Sequence, residues 1–245
     1  MLLVLPPSET KRDGGDATPL DLTALGFPAL AAERRQIVAA LKALSRSVAD
    51  STAALRLGST QRSEIDRNRA VASSPTMPAL DRYTGVLYDG LEVTTLSTKE
   101  RAFAHDHVVI HSALFGLVRA GDPIPAYRLS HDARLPGISL RRHWSASVTR
   151  QLAEYDGLVL DLRSEAYAKL GPAPPGAWYV RVLSEDARGR RLALSHFNKK
   201  SKGEFARAIV EEGADHATVE SLIAWATASG IRLERGAVGE LDLVV

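Results

Sequence analysis

The residues best equipped for chemistry fall in four short stretches. Arg119, Asp122, Tyr127 and Arg128 belong to one of them, just past the β-branched run Val108, Val109, Ile110. Two guanidiniums, a carboxylate and a phenol can grip an anion; a proline-rich turn in which Arg and Asp pair with each other accounts for the same residues. Ser8, Glu9, Thr10 and Lys11 put hydroxyls, a carboxylate and an amine directly after Pro6 and Pro7. Asp161, Glu165, Tyr167 and Lys169 form a third group, and Lys199, Lys200, Lys202 and Arg207 a fourth. Cations in such number neutralise phosphates without reading sequence. Carboxylates among lysines and arginines could instead do acid–base work on a phosphorylated substrate. No nucleophile–base pair follows from the spacing. His107 and His111 share one strand face, but no third ligand accompanies them, so no metal and no cofactor is assigned.

Elements of ordinary type must position these groups. Leu2–Leu5, His107–Ser112 and Gly157–Leu162 read as buried strands, and each of the first three stretches follows one of them. Pro123 and Pro125 fix φ and stiffen the loop before Tyr127. Pro28–Ser47 reads as a helix with Arg34, Arg35 and Lys42 on its wet side, followed by shorter helices at Ser51–Leu57 and Thr60–Ala72. Arg62, Arg67 and Arg69 alternate there with Glu64 and Asp66, as on an exposed, salt-bridged helix. Ser97 is placed to cap a helix, Leu140–Tyr155 reads as another, and Ser164 caps a short one. Trp178–Ser184 and Arg191–Phe197 make an antiparallel pair. A helix opens at Asn198, and Asp215 starts the last one, which Gly230 ends. Strands at Ile231–Leu233 and Leu241–Val245 close the chain. The fold class expected is mixed α/β: one compact domain over residues 1–245, with a central mixed sheet flanked by helices.

Composition narrows the function classes. The chain has 245 residues, 45% apolar and 24% charged, with 31 basic against 29 acidic side chains. Cysteine is absent, which removes disulfides, thiolate metal sites and cysteine nucleophiles. The apolar start is too short for a secretory signal, and no run approaches a membrane span. A cytoplasmic protein is expected. The near balance of charge hides local excess: six arginines lie between Arg119 and Arg150, at 119, 128, 134, 141, 142 and 150, against Asp122 and Asp132.

Several stretches resemble the YaaA family of bacterial peroxide stress response proteins. Pro6, Pro7, Ser8, Glu9, Thr10 and Lys11 match the family's N-terminal signature in full. Arg82, Tyr83, Gly85, Tyr88, Gly90 and Leu91 match a second motif. Ser112, Leu114, Phe115, Gly116, Leu117, Val118, Arg119, Asp122, Ile124, Tyr127, Arg128 and Leu129 match a third, with Ala126 where the family has proline. Glu165, Tyr167 and Lys169 match a fourth, and Lys199, Lys202 and Arg207 a fifth, with Ala208 where glycine is common. Leu135, Pro136, Gly137 and Ile138 resemble the turn of helix-hairpin-helix DNA-binding modules, although Ser139 stands in place of the second glycine. The resemblance implies a DNA-binding stress protein that protects DNA from peroxide- and iron-driven damage through a positively charged cleft and limits free iron. The cleft would be lined by Lys11, Arg82, Arg119, Arg128, Lys169, Lys199, Lys200, Lys202 and Arg207. Ser8, Glu9, Tyr83, Tyr88, Asp122, Tyr127, Asp161, Glu165 and Tyr167 would support them, with Arg82 facing an anion. DNA with little sequence specificity is the expected partner. The alternative is an enzyme or binder for a small anionic or nucleotide-like ligand in the same cleft.

Overall fold

A computed structural model of the chain describes residues 1–16, 18–186, 190–193 and 198–245. Strand β1 (Leu2–Leu5) is followed by helices α1 (Ala31–Leu44), α2 (Val48–Ala54) and α3 (Ser63–Arg69), then by strand β2 (Thr76–Pro78). Helices α4 (Ala79–Arg82), α5 (Val86–Leu91) and α6 (Thr98–His107) lead to strands β3 (Val108–Ser112), β4 (Gly116–Arg119) and β5 (Pro123–Pro125). The chain continues through α7 (Leu140–Ala153), β6 (Val159–Asp161), α8 (Glu165–Leu170), β7 (Trp178–Glu185) and β8 (Arg191–Ala193). It ends with α9 (Asn198–Glu212), α10 (Val219–Ala228), β9 (Arg232–Arg235) and β10 (Glu240–Val244).

The main sheet runs β4-β3-β1-β6-β7-β10-β9, with β8 also on β7. Its middle is parallel: β1 pairs with β3 and β6, and β7 with β6 and β10. Antiparallel β4 and β9 flank it. Every residue of β1, β3 and β6 is buried, as expected for parallel strands covered on both faces. One contiguous core joins these strands to the helices around them. The sheet is mixed and flanked by helices, as the alternation of apolar runs indicates.

Local signals account for many element ends. Ser97 caps α6 in a capping box with Glu100, which satisfies two otherwise orphaned backbone donors. Ser139 and Ser164 cap α7 and α8 with the side chain alone, accepting the N–H groups of Arg142 and Tyr167. Arg67–Glu64 and Arg69–Asp66 pairs support α3. Four expectations are corrected. Thr218, not Asp215, caps α10, while Asp215 pairs with the amino terminus. Arg34 is fully buried rather than on the wet face of α1, donating to the carbonyls of Phe115, Leu117 and Gly26. The segment 116–125 contains strands β4 and β5, where a loop was expected. His107 ends α6 instead of opening β3. Residues 194–197 of the expected second hairpin strand lie outside the described residues.

Candidate ligand site at the strand ends

The parallel strands set one end of the molecule apart. β1 leads into residues 6–11, β3 into residues 113–115 and β6 into residues 162–164, all at the carboxyl edge of the sheet. From β1 the chain departs towards β3; from β6 it departs through α8 towards β7 on the other side. Adjacent strands whose connections diverge leave a crevice between their ends, where open α/β sheets bind ligands.

A chain of hydroxyls lines this end. Ser112 Oγ accepts the N–H groups of Leu114 and Phe115, each at 3.0 Å. It also lies 2.7 Å from Tyr127 Oη, which lies 2.7 Å from Tyr83 Oη. A serine hydroxyl has two acceptor sites and one proton. Both acceptor sites being filled, Ser112 donates to Tyr127, while either phenol can be the donor in the Tyr127–Tyr83 bond. That bond uses one phenolic proton, so the tyrosine pair keeps a second one with no acceptor among the described residues. Burial raises the Tyr83 phenol well above its ordinary range and pushes Tyr127 up to about 12, so both stay protonated at neutral pH. Tyr88, stacked on Tyr83 with centroids 5.5 Å apart, donates to the Pro6 carbonyl at 2.9 Å.

Lys11 lies against this chain. Its Nζ is 4.1 Å from the centre of the Tyr127 ring and 5.3 Å from that of Tyr83. It donates to the Ser8 carbonyl at 2.8 Å. Burial, with the Arg128 charge adding to it, brings the amine down to about 7 against the pull of Glu64 and Glu9. Arg128 is held by Asn68 on its backbone: its N–H donates to Oδ1 at 2.8 Å and its carbonyl accepts from Nδ2 at 2.9 Å. One oxygen of Glu9 takes Nη2 of Arg128 at 2.6 Å, while the buried Nε has no partner.

A second group lies beside β6. Arg163, fully buried, grips Asp161 with Nε and Nη2, at 2.8 and 2.6 Å. Its Nη1 donates to His111 Nδ1 and to the Gly171 carbonyl, both at 2.7 Å. A guanidinium only donates, so His111 Nδ1 accepts and the proton sits on Nε2, which is buried without a partner. Burial and the Arg163 charge hold this imidazole neutral, its pKa well below the usual range. Lys202 donates to the Arg163 carbonyl at 3.1 Å and lies 4.7 Å from the Tyr179 ring centre. Burial brings its amine down to about 8. An open pocket of about 690 Å³ adjoins the group, lined by Asp161, Glu165, Lys169, Tyr179, Arg181, Asn198 and others.

The expected site residues thus divide. Lys11, Tyr83, Tyr88, Tyr127, Arg128, Ser8 and Glu9 come together, with Tyr167 buried next to His111 at 6.0 Å between ring centres. Asp161 and Lys202 form the second group, with Glu165 and Lys169 on the pocket wall. Arg82 does not face an anion. It is fully buried, and its guanidinium donates to the carbonyls of Ile124, Arg12, Gly14 and Pro75. Arg119 pairs in register with Val109, at the start of β3, so it sits at the opposite end of the sheet. It covers the Phe27 ring there, and Asp122 accepts the backbone N–H groups of Arg119 and Gly26. Arg207 is tied to Glu92, Glu211 and Thr95. Lys169 pairs with Glu165 and Lys200 with Glu204. Lys199 is exposed and has no ion-pair partner among the described residues.

Sequence reasoning gave no site role to Ser112, Arg163 or Asn68. A hydroxyl closing a β-branched run and an Asp-x-Arg spacing closing another were the available signals. Among the described residues, no group of three or more His, Asp or Glu could hold a metal ion, and no helix is long and apolar enough to cross a membrane.

The chain matches the family model described as "Peroxide stress protein YaaA" over residues 1–234. It is 43% identical to a UPF0246 protein of Corynebacterium glutamicum over 239 residues, spanning 96% of this chain and 95% of that protein. A UPF0246 protein of Corynebacterium efficiens is 43% identical over 252 residues, all of both chains. One from Streptomyces coelicolor is 37% identical over 221 residues, 87% of this chain and 84% of the other. The chain therefore belongs to the peroxide stress protein YaaA family.

Proposed function

We propose that this chain binds DNA by contacts to phosphates, with little sequence specificity, in the protection of DNA under peroxide stress. The observation that carries this reading is the tight turn Leu135–Ile138 and what surrounds it. Leu135 and Ile138 pair as an isolated bridge, with Pro136 and Gly137 exposed at the tip. Gly137 has φ 73° and open space around its Cα, a backbone state that L side chains resist. Arg134, Arg141 and Arg142 flank the turn, all exposed and none in an ion pair among the described residues. The first turn of α7 holds no acid. Lys199 adds a further unpaired cation on α9. Lys11, Arg82 and Lys202 are engaged inside the protein and Arg207 is paired with Glu92 and Glu211, so the phosphate contacts are assigned to this outer set.

Titration of labelled duplex and single-stranded DNA over a salt series tests the proposal. Affinity should fall steeply with salt, and changing Arg134, Arg141 and Arg142 together to Ala should reduce the slope by roughly 2–3, at about 0.9 per phosphate contact on duplex DNA. Absence of binding at low salt, or a slope untouched by the triple change, removes the reading.

A second reading, a site for a small anionic or nucleotide-like ligand, has its own observation in its favour. Arg128 holds Glu9 through one nitrogen only, and its buried Nε is left without an acceptor. A phosphate or carboxylate could take both nitrogens side by side, the geometry in which Arg binds such groups best. A rise in melting temperature with inorganic phosphate or a sugar phosphate, lost in Arg128→Lys, is the expected result. No shift with either compound would exclude it.

A further inference from the structure

We propose that Lys11 is an amine nucleophile that forms an imine with an aldehyde or ketone carried on a small anionic compound, Arg128 holding the anion and Tyr83 the carbonyl oxygen. The inference rests on the second reading above and adds a reaction to it.

Three features converge on one space. The first is the hydrogen-bond chain. With Ser112 anchored by two backbone N–H groups, its hydroxyl donates to Tyr127, and the bond between Tyr127 and Tyr83 uses one of their two protons. The other phenolic proton of the pair, taken here as that of Tyr83, is left to give, and a donation behind it polarises it. A donor of this kind is what a carbonyl oxygen needs as negative charge develops on it. The second is the amine, which packs on the faces of the two tyrosines that make the chain. Lys11 is 7% exposed and reaches no carboxylate; its hydrogen-bond contacts are the backbone carbonyls of Ser8 and Glu9. A lysine is a nucleophile only when unprotonated, and burial with Arg128 nearby brings it into that state around neutral pH. The third is the half-used Arg128 fork. The Glu9 side chain is 59% exposed, so an anion that satisfies both Nε and Nη2 can displace it. Glu9 belongs to the same short loop as Lys11, and its release uncovers the amine.

The step balances without an added oxidant or reductant. The Nζ lone pair forms the N–C bond while the carbonyl π pair moves to oxygen, which takes the Tyr83 proton. One proton of the attacking nitrogen returns to the tyrosine. The nitrogen pair then expels the hydroxyl, which takes the tyrosine proton and leaves as water, and the N–H proton of the iminium so formed returns to the tyrosine to leave the imine. The carbon–oxygen bond is the one broken, and nothing changes oxidation state.

The test uses the full-length protein with 2-deoxyribose 5-phosphate, an anionic aldose, and sodium cyanoborohydride as the trap. Intact mass and peptide mapping should show a single reduced adduct on Lys11. Its rate of formation should rise with pH through about 7 and fall when inorganic phosphate competes. Lys11→Met should abolish it. Tyr83→Phe should slow trapping by about a hundredfold, the low end of general acid catalysis, while the melting-temperature rise given by inorganic phosphate is kept. Adducts spread over exposed lysines such as Lys42, Lys99 and Lys199, with Lys11 unmodified, would overturn the proposal. A melting-temperature rise with the sugar phosphate but no Lys11 adduct overturns the imine alone. No rise and no adduct overturns the second reading with it.

Discussion

Arg82 shows how much a single side chain's surroundings decide. In sequence it stands in a family motif beside Tyr83, and a cation in that company suggests an anion ligand. In the fold its planar fork closes four carbonyls from three separate segments, residues 12–14, 75 and 124. It clasps the Gly14–Gly15 stretch to the β2–β5 pair, and its own part in the motif is architectural. An ammonium group cannot span those four acceptors, because it is a compact point charge. Arg82→Lys should therefore cost about 2–4 kcal/mol, from two or more charge-assisted hydrogen bonds lost in the interior. That corresponds to a drop of roughly 5–15 °C in a chain of this size. Thermal denaturation measures the drop, and phosphate binding measured below the transition should be unchanged. Weakened binding in a protein of normal stability would return Arg82 to the site. Asn68, by contrast, reads as one more polar residue on a charged helix, and only the distant backbone of Arg128 gives it a purpose.

The elements that carry the site were legible where local chemistry sets them and obscure where partners lie far off in the chain. β1, β3 and β6 are short apolar runs rich in β-branched or leucine residues, and capping serines announce α6, α7 and α8. β2 and β5 have three residues each and contain prolines; only their pairing with each other makes them strands. α5 and α9 illustrate the same limit for glycine. Gly90, quoted in the family motif, lies within the short helix α5. A Cβ there would come within 2.6 Å of the Lys200 carbonyl, and one at Gly203 would fall on the carbonyl of Leu87. The two helices cross backbone to backbone, a contact that no periodicity in either reveals. Gly203→Ala should force them apart and cost about 1–3 kcal/mol, the range for overpacking a filled interior. Because Lys202 adjoins Gly203, the change should also release Lys202 from Tyr179 and the Arg163 carbonyl. Its amine would then be labelled faster by an acylating reagent than in the parent protein. Unaltered stability would mean that α9 tilts freely, and that its crossing with α5 does not fix Lys202.

At the scale of the whole molecule, the parallel middle of the sheet gathers the titratable groups at one end and buries them, which gives folding an unusual dependence on pH. Lys11 falls to about 7 and Lys202 to about 8 in the folded state, against about 10.4 in an unfolded chain. Between those values the unfolded state holds protons that the native state does not, so stability rises with pH across that window. Each lysine contributes a slope of up to about 1.4 kcal/mol per pH unit. His111 works in the same direction lower down: with its native pKa depressed, stability falls as pH drops below about 6.5. The tyrosines oppose this at the alkaline end. All six in the chain are raised above their ordinary value. Above about pH 10 the unfolded state therefore loses phenolic protons that the native state keeps, and stability falls. Maximum stability should thus lie near pH 9–10, above the usual range of about 5–8, with a decline beyond it steeper than the rise. Denaturant midpoints measured from pH 6 to 11 test this. Lys11→Met should flatten the rise between 7 and 10 and leave the protein more stable than the parent at pH 7, because the cost of the buried amine is gone. A parent curve that is level or falling from pH 7 to 9.5 would mean that both amines reach solvent in the native state. Neither burial nor the tyrosine chain could then account for Lys11 as a nucleophile.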